Sequence, residues 1–158
     1  MKQRTWKPYV YWVLFTEAVG LLAGLLTRSG TQLYKLTVTK PPLSPPALVF
    51  PIAWTILYAL MGIGAARIYL TPHSKARDDC LRIYLIQLGV NFFWSILFFN
   101  AQAFLAAFVW LVLLFGLIVW MYLCFRELDL TAARLQIPYL LWVAFAGYLN
   151  FGVWMLNR

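Results

Sequence analysis

Five stretches of the chain each run for nearly twenty residues or more with little charge: about Tyr9–Leu26, Ala47–Leu70, Leu81–Asn100, Ala103–Phe125 and Leu130–Leu156. An α-helix needs about 20 mostly apolar residues to cross the hydrocarbon core of a bilayer. Inside lipid every backbone N–H and C=O must find a partner within the protein, which leaves helices or closed barrels. These runs are too long and too continuously apolar for barrel strands of about ten residues. The sequence therefore predicts an all-α membrane protein, a single five-transmembrane-helix bundle over residues 1–158. Composition agrees: 63% of residues are hydrophobic and only 11% charged, far below the roughly one quarter that covers a soluble domain.

The net charge of +8 does not signal nucleic acid, because the basic residues sit between apolar runs and form no stripe. They do set an orientation. Lys2, Arg4, Lys7, Arg67, Lys75, Arg77, Arg82, Arg126 and Arg134 fall on one side, and Arg28, Lys35, Lys40 and Arg158 on the other. The count predicts the N-terminus inside, the C-terminus outside and the long segment 27–46 on the outer face. The start, "MKQRTWKPYVYWVLF", reads as a retained first span and not a cleaved leader, since Glu17 interrupts it and no small-residue cleavage site stands out. Cys80 and Cys124 make no disulfide framework.

The connections differ. "FFNAQAF" is so short that the third and fourth spans form an antiparallel hairpin, and "TPHSKARDDC" is a polar turn. Segment 27–46 is a long loop, of a length that is usually functional or disordered. Its proline-rich end, "KPPLSPPALVFPIAW" (Lys40–Trp54), argues for order. Proline fixes φ and reduces the entropy of the free loop. Pro45 and Pro46 can open the second span without wasting a donor. The expectation is a stiff lid over the outer mouth of a pocket, with Trp54 beneath it. Pro138 lies inside the fifth span and is expected to kink it.

No metal-ligand cluster, phosphate loop or nucleophile–base pair is evident, and His73 reads as a solvated loop histidine. Polar groups within the spans carry more information, because they are costly in lipid. Gln87, Asn91 and Ser95 form one stripe of the third span, flanked by Trp94 and Phe98; the second offers Trp54, Tyr58 and Met61, the fifth Trp142, Ala146 and Asn150. Together these faces would wall an aromatic pocket with a few hydrogen-bonding groups. The alternative is that the amides only join helices. Trp6, Trp12 and Trp154 read as interfacial anchors. Glu17 sits in mid-span as a functional candidate, or as a partner for a neighbouring helix or water. Gly20 and Gly24 form a GxxxG pair that allows close contact within a monomer or across a homodimer.

Three segments carry a family resemblance. "PPALVFPIAWTILYALMG" (Pro45–Gly62), "QLGVNFFWSILFF" (Gln87–Phe99) and "AARLQIPYLLWVAFAGYLNFGVW" (Ala132–Trp154) resemble, in order, the second-, third- and fifth-helix signatures of the tryptophan-rich sensory protein family. That family is also called translocator protein or peripheral benzodiazepine receptor. The resemblance implies an integral membrane receptor for tetrapyrroles of the protoporphyrin type and for drug-like hydrophobic ligands, with light-dependent porphyrin breakdown in some bacterial members. Porphyrin would be a ligand, and no cofactor is required. It implies ligand contacts from Pro45, Trp54, Tyr58, Asn91, Trp94, Trp142 and Ala146, with Trp54 and Trp142 supporting photo-oxidation; Tyr34, Phe50, Phe98 and Asn150 complete the expected binding site. A bacterial cell membrane is the expected location. Leu33 and Leu43 stand where the family's loop usually has tryptophan, and the family's sterol motif is not met at the C-terminal end. Two other functions stay open: a carrier of such ligands, and a scaffold subunit without chemistry.

Overall fold

The computed structural model describes residues 6–158, so Lys2 and Arg4 of the charge count lie outside the described residues. Five helical spans cross the molecule, each long and apolar enough for a bilayer. α1 covers Trp6–Leu26 and a shorter α2 follows over Arg28–Thr37. α3 covers Val49–Tyr69, α4 Lys75–Ser95 and α5 Phe104–Leu128. The fifth span is divided into α6 (Leu130–Arg134) and α7 (Ile137–Asn157).

Segment 27–46 is thus not loop throughout, for its first half is α2. Thr27 hands the chain from one helix to the next: its hydroxyl and amide both bond the Ala23 carbonyl, at 2.8 and 3.0 Å. Beyond Thr37 the prolines take over. Pro45 and Pro46 do not open α3 directly, because the chain makes one more turn, in which the Val49 amide donates to the Pro46 carbonyl at 3.0 Å. It is Pro51 that sits in the first turn of α3, where its missing N–H would have had no helical partner anyway. Leu43 adopts φ 68, so the ramp bends sharply between its two proline pairs. This segment is clamped to the end of α7. The Thr39 amide donates to Asn157 Oδ1 at 2.9 Å, Asn157 Nδ2 donates to the Thr39 carbonyl at 2.8 Å, and the Tyr148 hydroxyl donates to the Pro42 carbonyl at 2.7 Å. Pro41 is seated on Gly152, where any Cβ would lie 2.6 Å from the proline ring.

Pro138 does not kink a continuous helix. The fifth span breaks at Leu135–Gln136, and Pro138 falls in the first turn of α7, where it costs no bond. Asp129 starts the short α6 by accepting from the Ala132 amide at 2.9 Å, and it pairs with Arg67 of α3 at 3.1 Å. Burial pushes the Asp129 carboxyl up, but the Ala132 amide and the Arg67 guanidinium outweigh it and hold the pKa below its ordinary value.

α4 and α5 form the expected hairpin, turned through Ala101–Ala103 with Gln102 at φ 48. The last turn of the third span, Ile96–Asn100, is a wider π-helical turn. The hairpin corrects the reading of the cysteines, since Cys80 and Cys124 form a disulfide between the start of α4 and the end of α5. The two residues are equidistant from Gln102, so an antiparallel hairpin places them opposite each other. Spacing alone carries no such information; hairpin symmetry does. Replacing both with serine is expected to cost about 2 kcal/mol, visible as a lower Tm in detergent. Reducing the wild-type protein should lower its Tm by the same amount. Unchanged melting in both comparisons would show that the bond adds nothing.

Trp12, expected to be an interfacial anchor, packs inward instead. Its ring lies 5.7 Å from that of Tyr84 and 6.2 Å from that of Tyr69. Trp6 is exposed, and Trp154 carries the Arg158 guanidinium 5.6 Å above its ring.

Candidate functional site

A cavity of about 860 Å³ opens at the end of the bundle that carries α2 and the proline segment. α1 and α2 wall one side, α3 and α7 another, and the π-helical turn of the third span closes it. Of the residues expected at a ligand site, Tyr34, Pro45, Phe50, Trp54 and Tyr58 line this cavity, as do Trp94, Phe98, Ala146 and Asn150. Asn91 and Trp142 do not reach it.

The wall is built from aromatic pairs. Trp54 stacks on Tyr58, one turn along α3, with centroids 5.4 Å apart and an interplanar angle of 29°. Trp94 stacks on Phe98 at 5.2 Å and 26°. The wider π turn keeps Phe98 in reach of Tyr34 from α2, at 5.3 Å. Trp142 stands behind this wall, edge-on to Trp54 at 6.3 Å and to Phe50 at 5.9 Å. Its indole N–H is buried and finds no partner among the described residues.

The amides serve two tasks. Asn91 is buried beneath the cavity floor. Its Oδ1 accepts from the Tyr58 hydroxyl at 3.5 Å and its Nδ2 donates to the Tyr139 hydroxyl at 2.7 Å. Tyr139 in turn donates to Gln87 Oε1 at 2.8 Å. This chain joins α3, α4 and α7 and fixes the phenol that faces the cavity. Asn150 Oδ1 accepts from the Trp94 indole at 3.0 Å while its Nδ2 donates to the Phe104 carbonyl at 2.8 Å. Both asparagines therefore hold helices together, and Asn150 does so at the cavity surface.

The mouth is basic: Arg28, Lys35 and Lys40 all line it. Lys40 Nζ sits 5.1 Å from the centre of the Tyr34 ring. Burial pushes the Tyr34 phenol up from its ordinary pKa, so the hydroxyl stays a donor. Among the lining residues outside the expected set are the polar Arg28, Thr31 and Gln32 of α2. The signal was present: Arg28, Thr31, Gln32 and Lys35 recur at i, i+3, i+4 and i+7, one polar face of a helix. That face turns towards the cavity.

The model of the TspO/MBR family matches residues 12–155 of the chain. The chain belongs to the TspO/MBR family. Among its relatives, the tryptophan-rich protein TspO of Chlorobaculum tepidum is 39% identical over 141 residues, covering 89% of each chain. The translocator protein of Bos taurus is 34% identical over 155 residues, or 97% of this chain and 92% of the relative. The tryptophan-rich protein TspO of Archaeoglobus fulgidus is 35% identical over 147 residues, covering 92% and 94%. This TspO/MBR chain is thus similar over nearly its full length to bacterial, archaeal and animal proteins. The matched region includes α2, the proline segment and every span that lines the cavity.

Proposed function

We propose that the cavity is a binding site for tetrapyrroles of the protoporphyrin type and for other flat hydrophobic ligands. The observation that carries the reading is a volume of about 860 Å³ walled by stacked aromatics and opening past three cationic side chains. Indole and phenol faces favour a flat macrocycle through stacking and apolar burial. The ammonium groups of Lys35 and Lys40 and the Arg28 guanidinium suit its carboxylates. The proline segment, clamped to α7, acts as the lid. The N-terminus lies on the inner side of a bacterial cell membrane and the C-terminus and the mouth on the outer side, since most of the basic residues gather at the end away from the mouth.

Light-driven oxidation of the bound porphyrin is the second part of the reading, with dioxygen taking the electrons that the macrocycle loses. Trp54 would touch the ligand. Trp142 would act through Trp54 and Phe50, against which it packs.

The test is a protoporphyrin titration of the purified protein, in the dark and then under light, beside Trp54→Phe and Trp142→Phe. Saturable quenching of tryptophan fluorescence is expected. Trp54→Phe should weaken binding about tenfold, equivalent to ~1.4 kcal/mol. Light-driven loss of porphyrin should fall in both variants. Binding without light-driven loss would leave a carrier or a scaffold. Absence of saturable binding would overturn the reading.

A further inference from the structure

We propose that Glu17 is a ligand-recognising residue, forming a second polar pole at the membrane-buried end of the cavity. It would select amphiphiles with an anionic group at one end and a protonated amine or exposed N–H donor at the other. This rests on the reading of the cavity as the ligand site and adds which ligands it prefers.

The sequence has five acidic residues. Asp78, Asp79 and Asp129 are engaged in ion pairs at the end of the bundle away from the mouth, and Glu127 lies at that same end. Glu17 alone lies within the apolar length of a span. It lines the cavity among Leu14, Ala18 and Leu21; Thr55 and Tyr58 of α3 line the same cavity, but their hydroxyls donate to the Pro51 carbonyl and to Asn91 and not to Glu17. Its neighbour Thr16 points away, into a hydrogen bond with Tyr84 in the core. Among the described residues Glu17 has no ion-pair partner.

A carboxyl group at this depth is costly unless something complements it, and such groups face the interior of a bundle or a water-filled space. Here the space is the cavity. The mouth lies further along the same helix: α1 rises about 13 Å from Glu17 to Leu26, and Arg28 follows directly. Cations at one end and a carboxyl group at the other give the cavity a direction. Lysine and arginine only donate, so the mouth takes a carboxylate; an ionised carboxylate only accepts, so the deep end takes N–H. The apolar length between them takes a chain or a ring system. A plain apolar carboxylate satisfies one pole, and an amino-carboxylate of matching length satisfies both.

The probes are dodecanoate and 12-aminododecanoate, whose ends in the extended chain lie about as far apart as the two poles. Both are titrated calorimetrically into the full chain in lipid nanodiscs, as wild type, Glu17→Gln and Glu17→Asp. The ratio of the two Kd values cancels most of the difference in partitioning between samples. Relative to wild type, Glu17→Gln should shift that ratio against the amino-carboxylate by about tenfold. Glu17→Asp, which keeps the charge, should restore most of the preference. Equal ratios in wild type and Glu17→Gln would overturn the proposal. Protoporphyrin titrated into the same samples separates the two readings. If porphyrin binds and the ratio does not move, Glu17 has no such role; if the ratio moves and porphyrin does not bind, the tetrapyrrole reading is wrong and the two-pole cavity stands.

Discussion

Gly62→Val is expected to lower stability by at least about 3 kcal/mol. Gly62 lies on the face of α3 that packs against α1. A Cβ there would fall 2.6 Å from Val13 Cα and 2.9 Å from the Trp12 carbonyl oxygen. Both are backbone atoms, so no rotamer change can relieve the overlap; the helices themselves must separate. In a membrane, helix pairs are held by close packing and not by a hydrophobic drive between them, so lost proximity is lost stability. The separation would also break the burial of Trp12 against Tyr84 and the Thr16–Tyr84 hydrogen bond. Thermal unfolding in detergent measures the effect. Gly116→Val is the control, since a Cβ there meets nothing within 4 Å. Equal melting of the two variants would show that the α1–α3 contact does not hold the bundle.

Asn150→Leu is expected to cost about 2 kcal/mol, because it strands the buried Trp94 indole and removes a second bond to α5. The Trp94 indole loses its acceptor, and the Phe104 carbonyl, which keeps its helical partner in α5, loses a second donor. The substitution should also weaken ligand binding, since Trp94 and Phe98 stack as one unit of the cavity wall and a freed indole would reorient. Asn150→Asp keeps an acceptor for Trp94 but offers nothing to the Phe104 carbonyl, so its loss should be intermediate. Melting curves and protoporphyrin titrations on the three proteins check both parts. A Leu variant as stable as wild type would mean that these hydrogen bonds contribute nothing.

The five spans were legible because length and apolarity are enough to mark a helix that must satisfy its own backbone in lipid. The stripe of Gln87 and Asn91 was legible as a helical face, but its purpose was not. Which element supplies the opposite partner is a tertiary fact, and that partner turned out to be Tyr139, from α7. The same limit applies to Trp142: sharing a face with Ala146 placed it near the cavity, yet Phe50 and Trp54 from α3 stand in front of it. α2 was missed because a ten-residue segment with a polar face does not resemble a span, although its i, i+3, i+4, i+7 pattern was there to read. The break before Pro138 was misjudged for a local reason. Proline disrupts a helix interior but suits a first turn, and the sequence does not say which of the two a given proline occupies.

The clamp between Thr39 and Asn157 has a kinetic meaning. Its two amide hydrogen bonds, and that of Tyr148 to Pro42, are made by groups that do not line the cavity. Bonds that are the same with the site full or empty cannot shift the balance between those states. They can only set the height of the barrier over which molecules arrive and depart. If the clamp is unchanged by ligand, loosening it would raise association and dissociation rates together and shorten residence time; any loss of affinity would report the ordering of Lys40 and Pro45, which the same segment holds at the cavity.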